Sequence, residues 1–359
     1  MKNSVVWRSA FAALLASACS QGNGEQLGST KQELDVGDSH LLAVVGGGGL
    51  RHSLRTGEAG TPWGDVESAA GEIGTVARVA AVDAGHLQVV AMTNFGKMFH
   101  SLRNVDTGAW TPFSDVALVA GNIGTVTSVS LAQSLLNKVY LCATSGDGRA
   151  WLAARRVDGS WEGFQPLKVL TNSDPGTFNS ISCAIHGVDG PDFQNGFSVY
   201  HDNLHVVATT TAGRVFHALK QGNNAWTAFG DVSAATGSTS SYFDVDASVD
   251  DGFDLHVVAT GSGRQHHTIR NHLDGSWKPF GDIASVAGDP GREGRGAVGV
   301  IFNSLHVYVV TNTGGLFRAI RLPGGNIWNN YIDMKNGSAE SMVDVAFAPH
   351  AFPPIEILR

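Results

Sequence analysis

The sequence predicts an all-β chain closed into a ring of repeated four-stranded sheets, and three observations carry that expectation. The first is a short box that recurs six times: Trp63-Gly64-Asp65-Val66, Phe113-Ser114-Asp115-Val116, Phe164-Gln165-Pro166-Leu167, Phe229-Gly230-Asp231-Val232, Phe280-Gly281-Asp282-Ile283 and Tyr331-Ile332-Asp333-Met334. Its aromatic positions are separated by 50, 51, 65, 51 and 51 residues, and a period near fifty marks a repeat array. The second is the texture of each repeat, in which short alternating β-rich runs are cut by turn residues every eight to twelve positions, with no helical period. The 45 glycines of the 359-residue chain fall largely at those turns. The third is what the two ends supply. The N-terminal copy lacks its first strand, and one surplus strand stands at the C-terminus.

Within a repeat the strands follow in a fixed order. First strands are read at Val76–Val82, Val126–Leu131, Phe178–Ala184, Tyr242–Ala247, Ala297–Ile301 and, alone at the end, Met342–Phe347. Second strands are Leu41–Val45, Leu87–Thr93, Val139–Thr144, Leu204–Thr209, Leu255–Thr260 and Leu305–Thr311. Third strands end on a cation, at Arg55, Arg103, Arg155, Lys220, Arg270 and Arg321. The fourth strand opens on Trp110, Trp161, Trp226, Trp277 or Trp328, with Gly60 in the first copy. Five full units, three strands at the N-terminus and one at the C-terminus make six sheets. A ring shut this way, its last sheet stitched from both ends, leaves no open sheet edge. The expectation is therefore a six-bladed β-propeller over residues 38–359. The 65-residue step implies an insertion near Gly187–Tyr200, and Pro353–Arg359 is not placed.

The N-terminus reads as an export signal over residues 1–18. Lys2 and Arg8 flank the apolar run Ser9–Ala18, which is too short to span a bilayer. Ala16-Ser17-Ala18 fits signal cleavage, and with Cys19 it resembles a bacterial lipobox, although the usual Leu sits one residue early, at Leu15. Two fates are open: a lipid anchor at Cys19, giving an outer-membrane or cell-surface lipoprotein, or simple secretion. Residues 19–37 read as a polar tether. For Cys142 and Cys183 the alternatives in an exported chain are a disulfide or two buried thiols in neighbouring strands.

The recurring text Leu-His-Val-Val-Ala-Thr (Leu255–Thr260), His-Thr-Ile-Arg (His267–Arg270), Asp-Gly-Ser-Trp (Asp274–Trp277) and Phe-Gly-Asp-Ile (Phe280–Ile283) resembles the bacterial PLL-type lectins. These are β-propeller proteins that bind fucose and related, sometimes O-methylated, glycans. The resemblance covers about residues 40 to 350. It implies sugar pockets between neighbouring blades, repeated around the ring, with no catalysis and no cofactor. It also implies seven blades, against the six counted here.

The residues themselves offer matching chemistry. A sugar site needs an aromatic face for the C–H side of the ring and fixed donors and acceptors for the hydroxyls. Trp110, Trp226, Trp277 and Trp328 supply the first, and Arg103, Lys220, Arg270 and Arg321 supply donors, the guanidinium as a planar fork. Each pair flanks one turn, so both members reach one rim of the ring. His52, His100, His217 and His267 recur on the third strand, as ligand contacts or as buried hydrogen-bonding groups, and the last three are the remaining candidates. The third copy replaces that His with Leu152 and the sixth with Arg318, and the first lacks the Trp. Copies two, four and five are accordingly expected to hold the best sites. Repeated weak sites on one body gain strength by multivalency.

Other features carry less. The box Asp residues are expected to tie turns through backbone hydrogen bonds. Fourteen His and the His205, His256 and His306 positions do not form a zinc spacing. Asp244, Asp246, Asp250, Asp251 and Asp254 lack calcium-loop spacing and read as a solvated turn. Gly46–Gly49 has no following Lys-Ser or Lys-Thr for a phosphate loop, and Asp158-Gly159-Ser160-Trp161 reads as a turn. A net charge of -8 without a basic cluster argues against nucleic acid. The expected partners are glycans, with membrane contact only through a lipid on Cys19. A propeller glycosidase or a protein-interaction ring are the competing readings.

Overall fold

The computed structural model describes residues 38–57, 59–134, 137–186, 192–194, 197–199, 202–325 and 327–350. The expected signal segment, Cys19, the tether and Pro353–Arg359 lie outside the described residues. Six antiparallel sheets follow one another along the chain. Five have their innermost strand first: Val76–Asp83, Val126–Gln133, Phe178–His186, Asp244–Val249 and Glu293–Ile301. The innermost strand of the first blade is the C-terminal Met342–Pro349, paired to Asp38–Val45 with Leu41 opposite Phe347 and Ala43 opposite Val345. The six inner strands pack side by side in ring order, the C-terminal one between those of the second and sixth blades. The ring is six-bladed and closed by its two ends, as the strand arithmetic expects. The seven-blade alternative is corrected: all six repeats are consumed, with every sheet complete. The insertion falls between the first and second strands of the fourth blade and holds a small hairpin, Asp192–Gln194 with Phe197–Val199.

One glycine per blade sets the spacing of the ring. Gly48, Gly96, Gly148, Gly213, Gly263 and Gly314 occupy the turn between second and third strands with φ between 72° and 83°, a region open to glycine. Each carbonyl accepts the N–H of the residue that opens the next blade: Val76 to Gly48 at 2.8 Å, Tyr242 to Gly213 at 2.9 Å, Met342 to Gly314 at 3.1 Å. A Cβ on Gly48 would lie 2.3 Å from Thr75 Cγ2. The four-glycine run Gly46–Gly49 is this turn in the first blade.

The fourth strands differ from expectation. In the third blade Trp161–Pro166 is continuous and in the first Ala59–Gly60 forms a short pair, but in the other four the Trp makes a lone bridge and the strand resumes only at a two-residue pair such as Ser114–Asp115 or Gly281–Asp282. After it comes a single helical turn that the β pattern did not predict: Val66–Ala70, Val116–Ala120, Leu167–Thr171, Val232–Ala235 and Ala284–Ala287. In the first, second and fourth blades the box Asp starts that turn. Asp65 accepts from Ser68 N at 3.0 Å, Asp115 from Ala117 N at 2.8 Å and Asp231 from Ala234 N at 2.9 Å, which is the side-chain cap a helix start requires.

Hydrophobic clusters lie between blades. Trp110 and Phe113 of the second blade pack on Leu42, Val44 and Val66 of the first, and Trp277 and Phe280 of the fifth on Val207 and Val232 of the fourth. The channel wall is polar. Asp344 accepts from Val79 N at 2.9 Å, Asp246 from Val298 N at 2.7 Å, and Ser130 from Cys183 N at 3.0 Å, each crossing to the next blade. Arg78 of the second blade meets Asp244 of the fifth, across the ring, at 3.2 Å. Asp244, buried, and Asp246, half-buried, are therefore structural groups, and the solvated-turn reading is corrected for them: alternation along the inner strand turns both into the channel. Burial pushes Asp246 and Asp344 up to about 6. The disulfide alternative is also corrected. Cys142 and Cys183 are free and buried in adjacent blades. The Cys183 Sγ turns toward the Ser130 carbonyl at 3.6 Å, and burial pushes the Cys142 thiol well up.

Candidate functional site

The third strand carries its two marked residues three positions apart: His52 and Arg55, His100 and Arg103, Leu152 and Arg155, His217 and Lys220, His267 and Arg270, Arg318 and Arg321. Odd spacing on a strand sends side chains to opposite faces. Each blade thus shows its His to the following blade and its cation to the preceding one. The cation is paired directly with the Trp across the third and fourth strands, as Arg103 with Trp110, Arg155 with Trp161, Lys220 with Trp226, Arg270 with Trp277 and Arg321 with Trp328. Directly opposed residues share a face, so both turn into the same seam between blades.

There the His of the preceding blade meets them. His52 lies edge-on to Trp110 with ring centroids 5.6 Å apart, His100 to Trp161 at 5.5 Å, His217 to Trp277 at 5.5 Å and His267 to Trp328 at 5.6 Å. A site is therefore built across two copies, and ranking the copies singly gave the wrong pairing. Four seams combine His, Arg and Trp: first–second, second–third, fourth–fifth and fifth–sixth. In the third–fourth seam Leu152 stands for the His, and Tyr140 lies under Lys138 at 5.0 Å and Lys220 at 5.7 Å from its ring centre. The sixth–first seam has Arg318, with Arg55 opposite Gly60. His52, Arg155 and Trp161 complete two of these seams although their copies, the first and third, were not among those expected to hold the best sites. The three-residue spacing was the signal that could have found them.

Each third-strand His is also held from behind, by the residue diagonal to it on the second strand. His40 Nδ1 is 2.9 Å from His52 Nε2, His205 Nδ1 is 2.9 Å from His217 Nε2 and His256 Nδ1 is 2.9 Å from His267 Nε2, while Gln88 Oε1 is 2.8 Å from His100 Nε2. The hydrogen-bonding reading of these His is what the geometry shows, on one edge of each ring, while the ring also meets the Trp of the next blade across the seam. Burial holds them neutral. It lowers His52, His100 and His217 to about 3 and His205 and His267 well below the ordinary value.

The cations are set differently. Arg103, Arg155, Arg270 and Arg321 are lowered by burial, and among the described residues none has a carboxylate at ion-pair distance. The Arg270 and Arg103 guanidinium groups lie over Gly275 and Gly108 in the adjoining turn, where a Cβ would come within 2.7 and 3.0 Å of them. A half-buried fork of donors without an acceptor, beside an aromatic ring, is arranged to meet hydroxyl or carboxylate oxygens. Among the described residues no group of three or more His, Cys, Asp or Glu is placed to hold a metal ion, and no helix is long and apolar enough to cross a membrane.

No protein-family model and no curated protein matches the sequence. Solved structures share the fold. AofleA from Arthrobotrys oligospora superposes with a TM-score of 0.60 at 12% identity, over 87% of this chain and 90% of that one. The BP39L lectin from Burkholderia pseudomallei gives 0.55 at 18%, over 83% and 81%. The lectin of Aleuria aurantia, described as a six-bladed β-propeller with a novel mode of fucose recognition, gives 0.57 at 15%, over 81% and 89%. At these identities the likeness is one of fold: this chain shares the six-bladed propeller of lectins.

Proposed function

We propose that this protein is a non-catalytic lectin that takes fucose-like sugars in the seams between blades. The observation that carries the reading is the half-buried Arg, without a carboxylate partner among the described residues, paired across the strands with a Trp and facing a neutral His, repeated in four seams. The Trp offers its face to the C–H side of a pyranose, the Arg its fork to vicinal hydroxyls, and the His one further polar atom. That solved structures sharing its fold include fucose-specific lectins supports the choice of sugar, as does the resemblance to the PLL-type lectins. Export, by secretion or on a lipid at Cys19, would place such sites where glycans are met.

A glycosidase reading would need a singular carboxylate pair open to substrate. The channel carboxylates Asp246 and Asp344 instead accept backbone N–H groups of the next blade, which favours binding over cleavage. A glycan array probed beside a hydrolysis assay on the same sugars tests the proposal. Retention of fucosylated glycans, diminished in a folded Trp277→Ala variant and without cleavage, is expected. Cleavage, or silence across the array, overturns it.

A further inference from the structure

The hydrogen bonds behind the seam His residues continue inward as chains, and their inner anchors differ. In the fourth blade the Gly222 N–H donates to Asn203 Oδ1 at 2.9 Å. That fixes the amide and turns its Nδ2 to His186 Nε2 at 2.8 Å. A neutral imidazole has one N–H and one lone pair, so each ring hands on the polarity it receives. His186 Nε2 accepts, and its Nδ1–H donates to His205 Nε2 at 2.9 Å. His205 Nδ1–H donates in turn to His217 Nε2 at 2.9 Å. The proton of His217 is left on Nδ1.

In the fifth blade the anchor is a carboxylate. Asp250 Oδ1 accepts the Asp254 N–H at 2.9 Å and Oδ2 accepts from His256 Nε2 at 3.1 Å. With His256 as the neutral imidazole, its Nδ1 is a lone pair, filled by the N–H of His267 Nε2 at 2.9 Å. Nδ1 of His267 is left bare. The rings are otherwise alike: the pairs are stacked at 26° and 11°, and both outer rings stand against the Trp of the next blade.

We propose that these anchors set the polarity of the seams: through Asn203 the fourth–fifth seam offers a sugar hydroxyl a donor at His217 Nδ1, and through Asp250 the fifth–sixth seam offers an acceptor at His267 Nδ1. The sugar part of this inference rests on the lectin reading; the tautomers do not. Beside Arg270, a donor-only group, His217 adds a second donor, so that seam asks only for sugar oxygens that accept. The fifth–sixth seam also demands a hydroxyl that donates. One fold and one set of residue types would thus read different hydroxyl patterns in adjacent seams.

Two measurements on the histidine-15N-labelled protein test it. Long-range 1H–15N spectra, assigned with His217→Gln and His267→Gln, are expected to show Nδ1–H at His217 and Nε2–H at His267. Asn203→Asp is expected to move the His217 proton to Nε2. The same tautomer at both rings, or a His217 unmoved by Asn203→Asp in a folded protein, overturns the proposal whether or not sugar binds. Methyl α-L-fucoside and its monofluoro derivatives are then titrated, seam by seam, on the indole N–H signals of Trp277 and Trp328. Fluorine cannot donate, so one derivative is expected to lose about ten-fold in affinity at Trp328 and little at Trp277. Equal losses at both, for every derivative, would overturn the polarity argument. Absence of any response to the parent fucoside would sink the lectin reading and the specificity drawn from it, leaving the tautomer result to stand alone.

Discussion

The seam between the fourth and fifth blades and the seam between the sixth and first share one scaffold and differ in what fills it. The fourth–fifth seam holds His217, Arg270 and Trp277, with the guanidinium lacking a carboxylate partner among the described residues. In the sixth–first seam Gly60 stands where the Trp would be, and the Arg55 guanidinium lies 4.0 Å from the Met334 sulfur, inside the protein. Here the side chains tie ends together. Trp63 Nε1 donates to the Lys335 carbonyl at 3.0 Å, and Arg51 bridges Asp65 at 3.0 Å and Glu340 at 2.8 Å. The difference teaches that a repeat protein can spend one of its equivalent positions on closure and leave others to present the His, Arg and Trp set.

Breaking the closure is expected to have the largest effect. A chain ending before Met342 loses the inner strand of the first blade, with buried Met342, Val345, Ala346 and Phe347, and leaves Asp38–Val45 as an open edge. Removing a whole strand from the core exceeds the roughly 5–15 kcal/mol that holds a typical domain folded. Thermal unfolding followed by near-ultraviolet circular dichroism is expected to show no cooperative transition. A truncated chain that melts like the parent would contradict the ring.

Acid separates the seams next. Burial lowers the imidazoles of His40, His52, His100, His217 and His306 to about 3 or 4, and holds His205 and His267 well below the ordinary value. Their unfolded value is about 6.5, so below it the unfolded chain binds protons that the folded chain refuses. Stability is full above about pH 6.5 and falls with acidification, by about 1.4 kcal/mol per pH unit for each such proton. Asp246 and Asp344, raised to about 6, and Glu293, raised to about 7, act the other way, but they are fewer. Hydrogen exchange at pH 5 against pH 7 is expected to show protection lost first in the His-bearing seams. The third–fourth seam, with Tyr140 and Leu152, should follow last. Greater stability at pH 5 than at pH 7 would count against this.

A gain of function sharpens the contrast. Replacing Tyr140 and Leu152 by His in one variant restores the diagonal imidazole pair beside Trp226. The Trp226 indole is expected to begin responding to methyl α-L-fucoside, with affinity within about ten-fold of the natural seams. A smaller effect concerns the caps. Asp115→Ala removes the bond to Ala117 N and is expected to cost about 1 kcal/mol in denaturant unfolding, with fucoside binding unchanged. A loss of sugar binding there would mean that the one-turn helices shape the pockets.

Most of the architecture was legible because it repeats. The box at Trp63, Phe113 and their successors set the blade count, and the orphan strand at Met342 announced the closure. The cation that ends each third strand and the Trp that follows it were placed on one rim, as found. What escaped depended on facing. Reading each copy alone paired His100 with Trp110, whereas three-residue spacing on a strand delivers His100 to Trp161. The one-turn helices escaped because four or five residues show no period, although a cap residue such as Asp65 before Val66 announces them. Asp244 and Asp246 looked like a polar turn because nothing local tells a channel from solvent.

The central claim is that four seams are sugar pockets and two are not. A titration of the 15N-tryptophan-labelled protein with methyl α-L-fucoside tests it most directly. The indole signals of Trp110, Trp161, Trp277 and Trp328 are predicted to shift saturably, while those of Trp63 and Trp226 stay in place. No shift at any of the four, or equal shifts at Trp63 and Trp226, would contradict the account.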